Sequence, residues 1–472
     1  MTTNRLRAAA RKLVGFHRRF APLFGRKEAR GHSLTYLRGL LLAKGRKCVE
    51  RIALVFCLGT NNKAVSQKEV VAMQGFITTS PWEAGDVQQE IQAVFAEELV
   101  PSTSQWPIGT VGVIDESSFV KSGPESCGTK RQYCGRLGKK ESCQVGVFLV
   151  GVTPAGCACL DQQLYLPEEW AKDKKRRKKT RVPKQIKFQT KPEIAEELVG
   201  RTIAAGHVRF DWLIADELYG RNQALLEGLD EMHQRYLMEV PCDTTVWTVD
   251  PATQIPPYSG SGRRPVNPRR DSVRQVQKLA AELSPSDWHT YTLREGSKGP
   301  LIFQFAWLRV WAMRNGKPGR PVWVMFRRSL AKNAEVKYYI SNADEETPLE
   351  EMALVSGNRC RVEEYFQDGK MHLGMTDYEV RSWTSWHHHM TLVALAHLFV
   401  TLTKLDLQTE TSELTLDMAL DLLQSTLPCP TLTEEDSLHL LKYHLQRNHT
   451  AHRSHRKSWL RKHKNVKSKV LL

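Results

Sequence analysis

Apolar residues recur near every 3.6 positions across residues 5–100. The pattern predicts four helices: RLRAAARKLVGFHRRF, LTYLRGLLLAKG, RKCVERIALVFCLG and SPWEAGDVQQEIQAVFAEEL. Ser80 and Pro81 suit the cap and first turn of the last. The period changes at residue 108. IGTVGVIDESSFV is a β-branched strand pattern ending in acid, and CQVGVFLVGVTPAGCACLDQQLYLP reads as two strands joined by a turn at Thr153–Gly156. A basic loop over 172–187 leads to a helix (KPEIAEELVGRTIAAG), a strand ending in acid (FDWLIADELYG), a helix (RNQALLEGLDEMHQ) and a strand (RYLMEVP). Residues 242–275, rich in Pro, Gly, Ser and Arg, read as a loop. Four strands follow within 288–343: WHTYTLRE, LIFQFAWLRVWAMRN, PVWVMFRRS and VKYYISNA. Helical periodicity then resumes in LVSGNRCRVEEYFQDGKMHLGM, TSWHHHMTLVALAHLFVTLTK, LTLDMALDLLQSTL and EEDSLHLLKYHLQ, and a basic tail at 452–472 reads as poorly ordered.

Strands that alternate with helices and return to strands predict an α/β fold built on a mixed sheet. There is no internal repeat, and 472 residues suffice for about three domains. The texture divides the chain into a helical basic part (1–105), a first core part (106–241), a β-rich insertion (242–348), a second core part (349–405) and a helical C-terminal region with a basic tail (406–472).

Charge narrows the function. The net formal charge is +17, and residues 1–51 carry fourteen Lys/Arg against two Glu. Two further clusters, KDKKRRKKTRVPKQIK at 172–187 and the acid-free segment 452–472, complete a distribution that points to a polyanionic partner. No uninterrupted apolar run reaches the roughly 18–20 residues that span a bilayer, so no membrane partner is expected. The N-terminus lacks the apolar core of a secretion signal, and ten Cys without a dense framework fit a reducing, cytoplasmic compartment.

Arg359, Glu363 and Lys370 are the unusual feature. Separated by four and seven residues, they fall within roughly 40° of one another on a helix, beside the packing positions Val362, Phe366 and Leu373. An Arg–Glu pair at i,i+4 on a helix surface accounts for the same spacing. A second reading adds Asp115 and Asp216, each following an apolar strand. Three carboxylates from separate elements can converge on a pair of divalent cations for phosphoryl displacement, with the flanking cations on a phosphate. Other motifs are weaker. Three adjacent His at 387–389 point about 100° apart and cannot chelate one ion from a regular helix, so they pack or meet DNA. Cys127, Cys134, Cys143, Cys157 and Cys159 lack paired zinc-ligand spacing, and GRLGKK is not a phosphate-binding P-loop. Trp383 and Trp386 read as core residues.

RCRVEEYFQDGK carries the spacing R-x3-E-x6-K and resembles the signature around the third acid of insertion-sequence DDE transposases. Its surroundings, together with PLFGRKEARGHSLTYLRGLL, IDESSFVKSGPESCGTKRQYCGRLGKKESCQVGVFL, LYLPEEWAKDKKRR and ADELYG, are similar to the insertion sequence 701 family, from about residue 20 to residue 400. The resemblance implies an RNase H-like core with a β-rich insertion between the second and third acids. It implies Asp115, Asp216 and Glu363 as catalytic acids holding two Mg²⁺ ions, with Mn²⁺ able to substitute. It places Arg359 and Lys370 on DNA phosphate, and Lys130, Arg131, Lys175, Arg176 and Arg177 are expected to add DNA contacts. Two features depart from a simple match: Ser356 stands where the wider signature has Tyr, and Glu116 adjoins Asp115, so a one-residue shift exchanges them. Strand alternation lets only one of the two face the site.

The implied activity is cleavage at transposon ends followed by 3′-OH strand transfer into target DNA. Residues 1–105 would bind the inverted terminal repeats of an insertion sequence. A homodimer on DNA and a bacterial, nucleoid-associated location are expected. A catalytically silent DNA-binding protein derived from a transposase shares the charge and the fold, and a nuclease that cuts without joining shares the acids.

Overall fold

Strand β1 (Val111–Val120) organises the sheet. It pairs antiparallel with β3 (Lys139–Thr153) on one side and parallel with β5 (Trp212–Ala215) on the other. Beyond β3 lie β2 (Lys130–Cys134) and β4 (Gly156–Leu164), both antiparallel to it. Beyond β5 lies the parallel β6 (Tyr236–Val240). The computed structural model describes residues 3–56, 67–296, 299–331, 335–408, 414–428 and 433–463. Among these the sheet has twelve strands.

The expected strands within 288–343 form: β9 (His289–Gly296), β10 (Gly299–Arg314), β11 (Lys317–Ser329) and β12 (Lys337–Ser341). They do not make a separate sheet, because β12 pairs antiparallel with β6 and carries the central sheet onward. The segment 242–275, expected as loop, contains two short strands, β7 (Thr245–Trp247) and β8 (Val273–Gln275), which close the far edge against β10.

The helices cover the sheet. α1 (Thr3–Phe20), α2 (Lys27–Leu42), α3 (Val49–Phe56), α4 (Gln67–Thr78) and α5 (Ala84–Glu98) precede β1. Of these α4 was not legible as a separate helix. Residues 57–59 of the third expected helix lie outside the described residues. The fourth begins later than expected, at Ala84 after Glu83, not at Ser80–Pro81. Trp82 is the reason: its buried indole donates to the Phe76 carbonyl and stacks on His388 at 3.7 Å, pinning the chain before the helix begins. α8 (Lys191–Ala205) forms as expected, opened by a capping box between Thr190 and Glu193. α10 (Gln223–Glu231) also forms as expected, and α11 (Val276–Glu282) follows β8.

Three further expectations are corrected. The basic loop at 172–187 is partly helical: α6 (Glu168–Lys172) ends where that segment begins, and α7 (Lys174–Lys179) lies within it. The Asp173 carboxylate accepts the backbone N–H of Lys175 and Arg176 and so caps α7 despite its like charges. The stretch 354–375 is not one helix: α12 (Leu349–Ser356) ends at Gly357, and α13 (Cys360–Met371) starts after Arg359. The basic tail is helical as far as Lys462, as the end of α16 (Glu434–Lys462), which a Thr433–Asp436 capping box initiates; residues 464–472 lie outside the described residues.

α14 (Trp383–Gln408) is the central helix of the core and touches α2, α4, α5, α13 and β4. By length and composition it is the one helix among the described residues that could cross a membrane, but 78% of its apolar window is buried inside the fold. Its three His are joints rather than ligands. His388 meets the carbonyls of Ile77 (3.0 Å) and Trp82 (2.8 Å), His389 meets the Tyr36 hydroxyl (2.8 Å), and His387 meets the Trp383 carbonyl (2.9 Å). Burial lowers all three, to about 4, 4 and 3 for His387, His388 and His389. α15 (Leu416–Thr426) then packs on α14, and Trp383 and Trp386 are buried as expected.

Candidate active site

Strand register decides which side chains share a face. Asp115 lies opposite Phe148 of β3, and directly opposed residues project to the same side. The Phe148 ring packs on Phe366 (5.1 Å between centroids) and Tyr365 (6.3 Å), both on α13. Asp115 therefore faces α13. Glu116 projects to the other side. One carboxylate oxygen is 2.7 Å from the Lys191 ammonium of α8, and the other accepts the Tyr219 hydroxyl at 2.9 Å. Tyr219 belongs to α9 (Glu217–Gly220), a single turn after β5.

Asp216 stands one residue beyond the paired Ile114–Ala215 positions, level with Asp115 on the neighbouring parallel strand. Adjacent strands lie about 4.8 Å apart, so the register sets the two acids side by side. One Asp216 oxygen accepts the Leu218 backbone N–H at 2.9 Å and caps the turn of α9. Burial raises the Asp216 pKa, Glu116 adds to the rise, and the Leu218 N–H and Arg359 oppose it. Asp115 is pushed up to about 7 by burial first, then by the negative charges of Glu116 and Asp216, with Arg359 pulling the other way.

Arg359, which adjoins the first turn of α13, meets a different acid at each guanidinium nitrogen. Nη1 is 3.8 Å from Asp115, Nη2 is 3.4 Å from Glu363, and Nε is 3.8 Å from Glu239 on β6. Burial works against its charge, but Asp115, Glu239 and Glu363 more than offset this and raise its pKa. The i,i+4 Arg–Glu pair is thus present but is not a surface pair, since Arg359 is turned inward onto acids of β1 and β6. Glu363 is the most open of these carboxylates, with 59% of its side chain exposed against 15% for Asp115. Lys370, in the last turn of α13, lies 5.5 Å from the centre of the Phe366 ring. Ser356 is buried, its hydroxyl donates to the Ala353 carbonyl, and its own carbonyl accepts from Arg327 at 3.1 Å.

The expected basic contacts form one surface at the β2 edge. Lys130 is 3.3 Å from Glu169 of α6, the Trp170 indole donates to the Thr129 carbonyl, and Arg176 of α7 lies over the Trp170 ring at 5.0 Å. Arg131 on β2 is exposed, as is Lys175 on α7. Arg177 departs from that pattern, because it donates to the Pro183 carbonyl at 2.8 Å and holds the following turn.

Sequence reasoning missed Glu239, Lys191, Tyr219 and Lys337. The signal for Glu239 was available: a carboxylate interrupts the apolar run of YLMEV, and burying one is costly without a partner. Lys337, on β12, is that partner at 2.7 Å.

The raised Asp115 pKa predicts a pH effect. Ionising this carboxyl is harder in the fold than in the unfolded chain. Stability through this group is therefore greatest below pH 3.8 and is lost as pH rises towards about 7. The lowered pKa values of His387, His388 and His389 slope the other way, but they are shared by an Asp115→Asn variant and cancel in the comparison. Thermal melts without divalent cations should show Tm of the wild type falling relative to Asp115→Asn between pH 5 and pH 8. A difference that does not move with pH would contradict the assignment.

Comparison with known proteins adds the family. A family model described as DDE superfamily endonuclease matches residues 19–300, a span that holds Asp115 and Asp216 and stops before Arg359 and Glu363. The chain is also similar to a probable transposase for insertion sequence element IS701 from Microchaete diplosiphon. The two are 29% identical over 179 residues, covering 38% of this chain and 42% of that relative. With more than half of its length matched, the chain belongs to the DDE superfamily endonucleases.

Proposed function

We propose that this protein is a DNA transposase that binds the inverted terminal repeats of an insertion sequence, cleaves the DNA there and joins the freed 3′-OH to target DNA. Asp115, Asp216 and Glu363 are the catalytic acids. The observation that carries the reading is the convergence of Asp115 and Asp216 on adjacent parallel strands with Arg359 between Asp115 and Glu363. The strand order β4–β3–β1–β5–β6, with three antiparallel strands followed by two parallel to β1, supports an RNase H-like core.

The donor set fits a divalent cation. Asp115, Asp216 and Glu363 offer hard carboxylate oxygens of the kind Mg²⁺ takes, and Mn²⁺ accepts the same donors. Asp115 and Asp216 are half-buried acids whose pKa values are raised by burial and by neighbouring carboxylates, Glu116 for both and Asp216 for Asp115, an arrangement that a cation relieves. Among the described residues no three such side chains already stand as a ligand cluster, and Arg359 fills the gap between Asp115 and Glu363. Two bound Mg²⁺ ions would activate the attacking oxygen and neutralise the leaving one. The protein's own side chains do the rest. Arg359 forks onto the phosphate, Lys370 adds a point charge, and the strands hold Asp115 and Asp216 rigid, so that the phosphodiester is held in line. Water first displaces the 3′ oxygen, and that 3′-OH then displaces a phosphodiester oxygen of the target.

The helices of residues 1–105 recognise the ends, and the surface of Lys130, Arg131, Lys175 and Arg176 adds sequence-independent phosphate contacts that weaken with salt. A homodimer would hold two ends together. The test uses the purified protein, DNA copying the ends that flank its own gene, and a supercoiled target plasmid. Cleaved ends and joined product should both appear with Mg²⁺ and vanish with EDTA. Cleavage without joining identifies a nuclease. End binding without metal-dependent cleavage leaves a silent DNA-binding protein and sinks the proposal.

A further inference from the structure

We propose that Glu239 is a positioning residue that holds Arg359 by its Nε edge while both terminal nitrogens are handed to the DNA phosphate. The proposal rests on the transposase reading above and adds a residue that neither the sequence motif nor the family match singles out.

Three observations lead to it. Arg359 divides its nitrogens among three acids: Nη1 to Asp115, Nη2 to Glu363 and Nε to Glu239. Two of these are proposed ligands of the divalent cations; Glu239 is not. It sits on β6 with its side chain 13% exposed, and its Oε1 is already engaged by Lys337 at 2.7 Å. Its Oε2 is buried and has no hydrogen-bond partner, at 3.8 Å from Arg359 Nε. A buried carboxylate oxygen without a donor is unfavourable. Here it faces the one guanidinium edge that the phosphate does not need.

The geometry gives the sequence of events. When Asp115 and Glu363 turn to cations, Arg359 loses the partners of both terminal nitrogens together. Those two nitrogens form the fork that matches a phosphate. Without a third partner the guanidinium would be free to rotate. Glu239 closes onto Nε, fills its own empty acceptor and fixes the plane of the fork. Lys337 keeps Glu239 in place from β12, and the backbone behind it is fixed as well. A Cβ at Gly220 would lie 2.0 Å from the Glu239 carbonyl oxygen, so β6 and the α9 turn after Asp216 are in close contact. The carboxylate that orients Arg359 and the turn that carries the second acid are thereby coupled.

The experiment compares wild type, Glu239→Ala, Glu239→Asp, Glu239→Gln, Arg359→Lys and Glu239→Ala/Arg359→Lys. Single-turnover cleavage of the end duplex in Mg²⁺ is the first readout. Glu239→Ala should cleave at least about tenfold more slowly than wild type, as should Glu239→Asp, which keeps the charge for Lys337 but withdraws it from Nε. Glu239→Gln has one acceptor oxygen for two cations, Arg359 Nε and Lys337, and should cleave at a rate between wild type and Glu239→Ala. In the Arg359→Lys background, where no fork remains, Glu239→Ala should change the rate less than about twofold. The second readout is binding, with Ca²⁺ replacing Mg²⁺, of duplexes with a phosphate or a methylphosphonate at the cleaved position. The loss on neutralising that phosphate should be roughly five- to tenfold for wild type and under about twofold for Glu239→Ala and Glu239→Asp. An equal rate loss from Glu239→Ala in both backgrounds means that Glu239 only supports the fold and overturns the inference. So does an unchanged methylphosphonate penalty in both Glu239 variants. A wild type that cleaves nothing in Mg²⁺ overturns the parent reading as well, and is told apart by that control alone.

Discussion

Asp115→Asn, Asp216→Asn and Glu363→Gln are each expected to lower Mg²⁺-dependent end cleavage by about 10³-fold or more while leaving end binding within about threefold of wild type. Divalent cations held by these acids would contribute several kcal/mol to stabilising the transition state, and each 1.36 kcal/mol is tenfold in rate. The three changes are nearly isosteric, and each removes a negative charge. Asp115 and Asp216 are half-buried, and burial and neighbouring carboxylates raise the pKa of both, so neutralising either should also stabilise the protein in the absence of metal. Loss of cleavage alongside a gain in Tm separates a catalytic acid from a structural one, because a structural acid would lose both. Glu363 is more open, and its replacement should leave Tm nearly unchanged. Glu116→Gln is the matching control. It points to the α8 side, bonded to Lys191 and Tyr219, and should cost less activity than Asp115→Asn. If Glu116→Gln abolished cleavage and Asp115→Asn did not, the first acid would be misassigned.

Much of this arrangement was legible in the chain, and the reasons differ by element. Apolar runs leading into an acid announced β1 and β5, because a buried central strand has an apolar pattern that breaks where it meets chemistry. β5 does stop just before Asp216, but β1 continues through Asp115 to Val120, so that acid is not at a strand end. The i,i+4 spacing placed Arg359 beside Glu363 even though the helix begins only after Arg359, since one turn fixes that adjacency. What the sequence could not show is which acids Arg359 meets besides its neighbour. Asp115 and Glu239 reach it from strands 244 and 120 residues away in the chain, and only the sheet order β1–β5–β6 brings them together. The break at Gly357, the helical turns at 168–179 and the late start of α5 were hidden for a related reason. Local capping by Asp173 and the burial of Trp82 outweigh the composition of their segments. The continuity of β12 with β6 was likewise invisible, because strand pairing leaves no mark in hydrophobic period.

Phe148→Ala is expected to destabilise the protein by about 3–5 kcal/mol and to reduce cleavage beyond the loss of folded molecules. Phe148 is fully buried on β3, and its ring touches Phe119 of β1, Tyr365 and Phe366 of α13, and Trp386 of α14. It therefore joins the strand that carries Asp115 to the helix that carries Glu363. Truncation leaves a cavity at that junction, and α13 has no other aromatic pair with β1 or β3 among the described contacts to hold its angle. Chemical denaturation gives the stability loss, and single-turnover cleavage per folded molecule gives the positioning loss. Phe148→Leu keeps most of the volume and should cost roughly 1–1.5 kcal/mol with cleavage largely retained. If Phe148→Ala loses stability but each folded molecule cleaves as fast as wild type, the ring stabilises the core without setting the third acid. The position of α13 would then have to come from Val362, Tyr365 and Leu373, buried on the same helix and the turn beyond it.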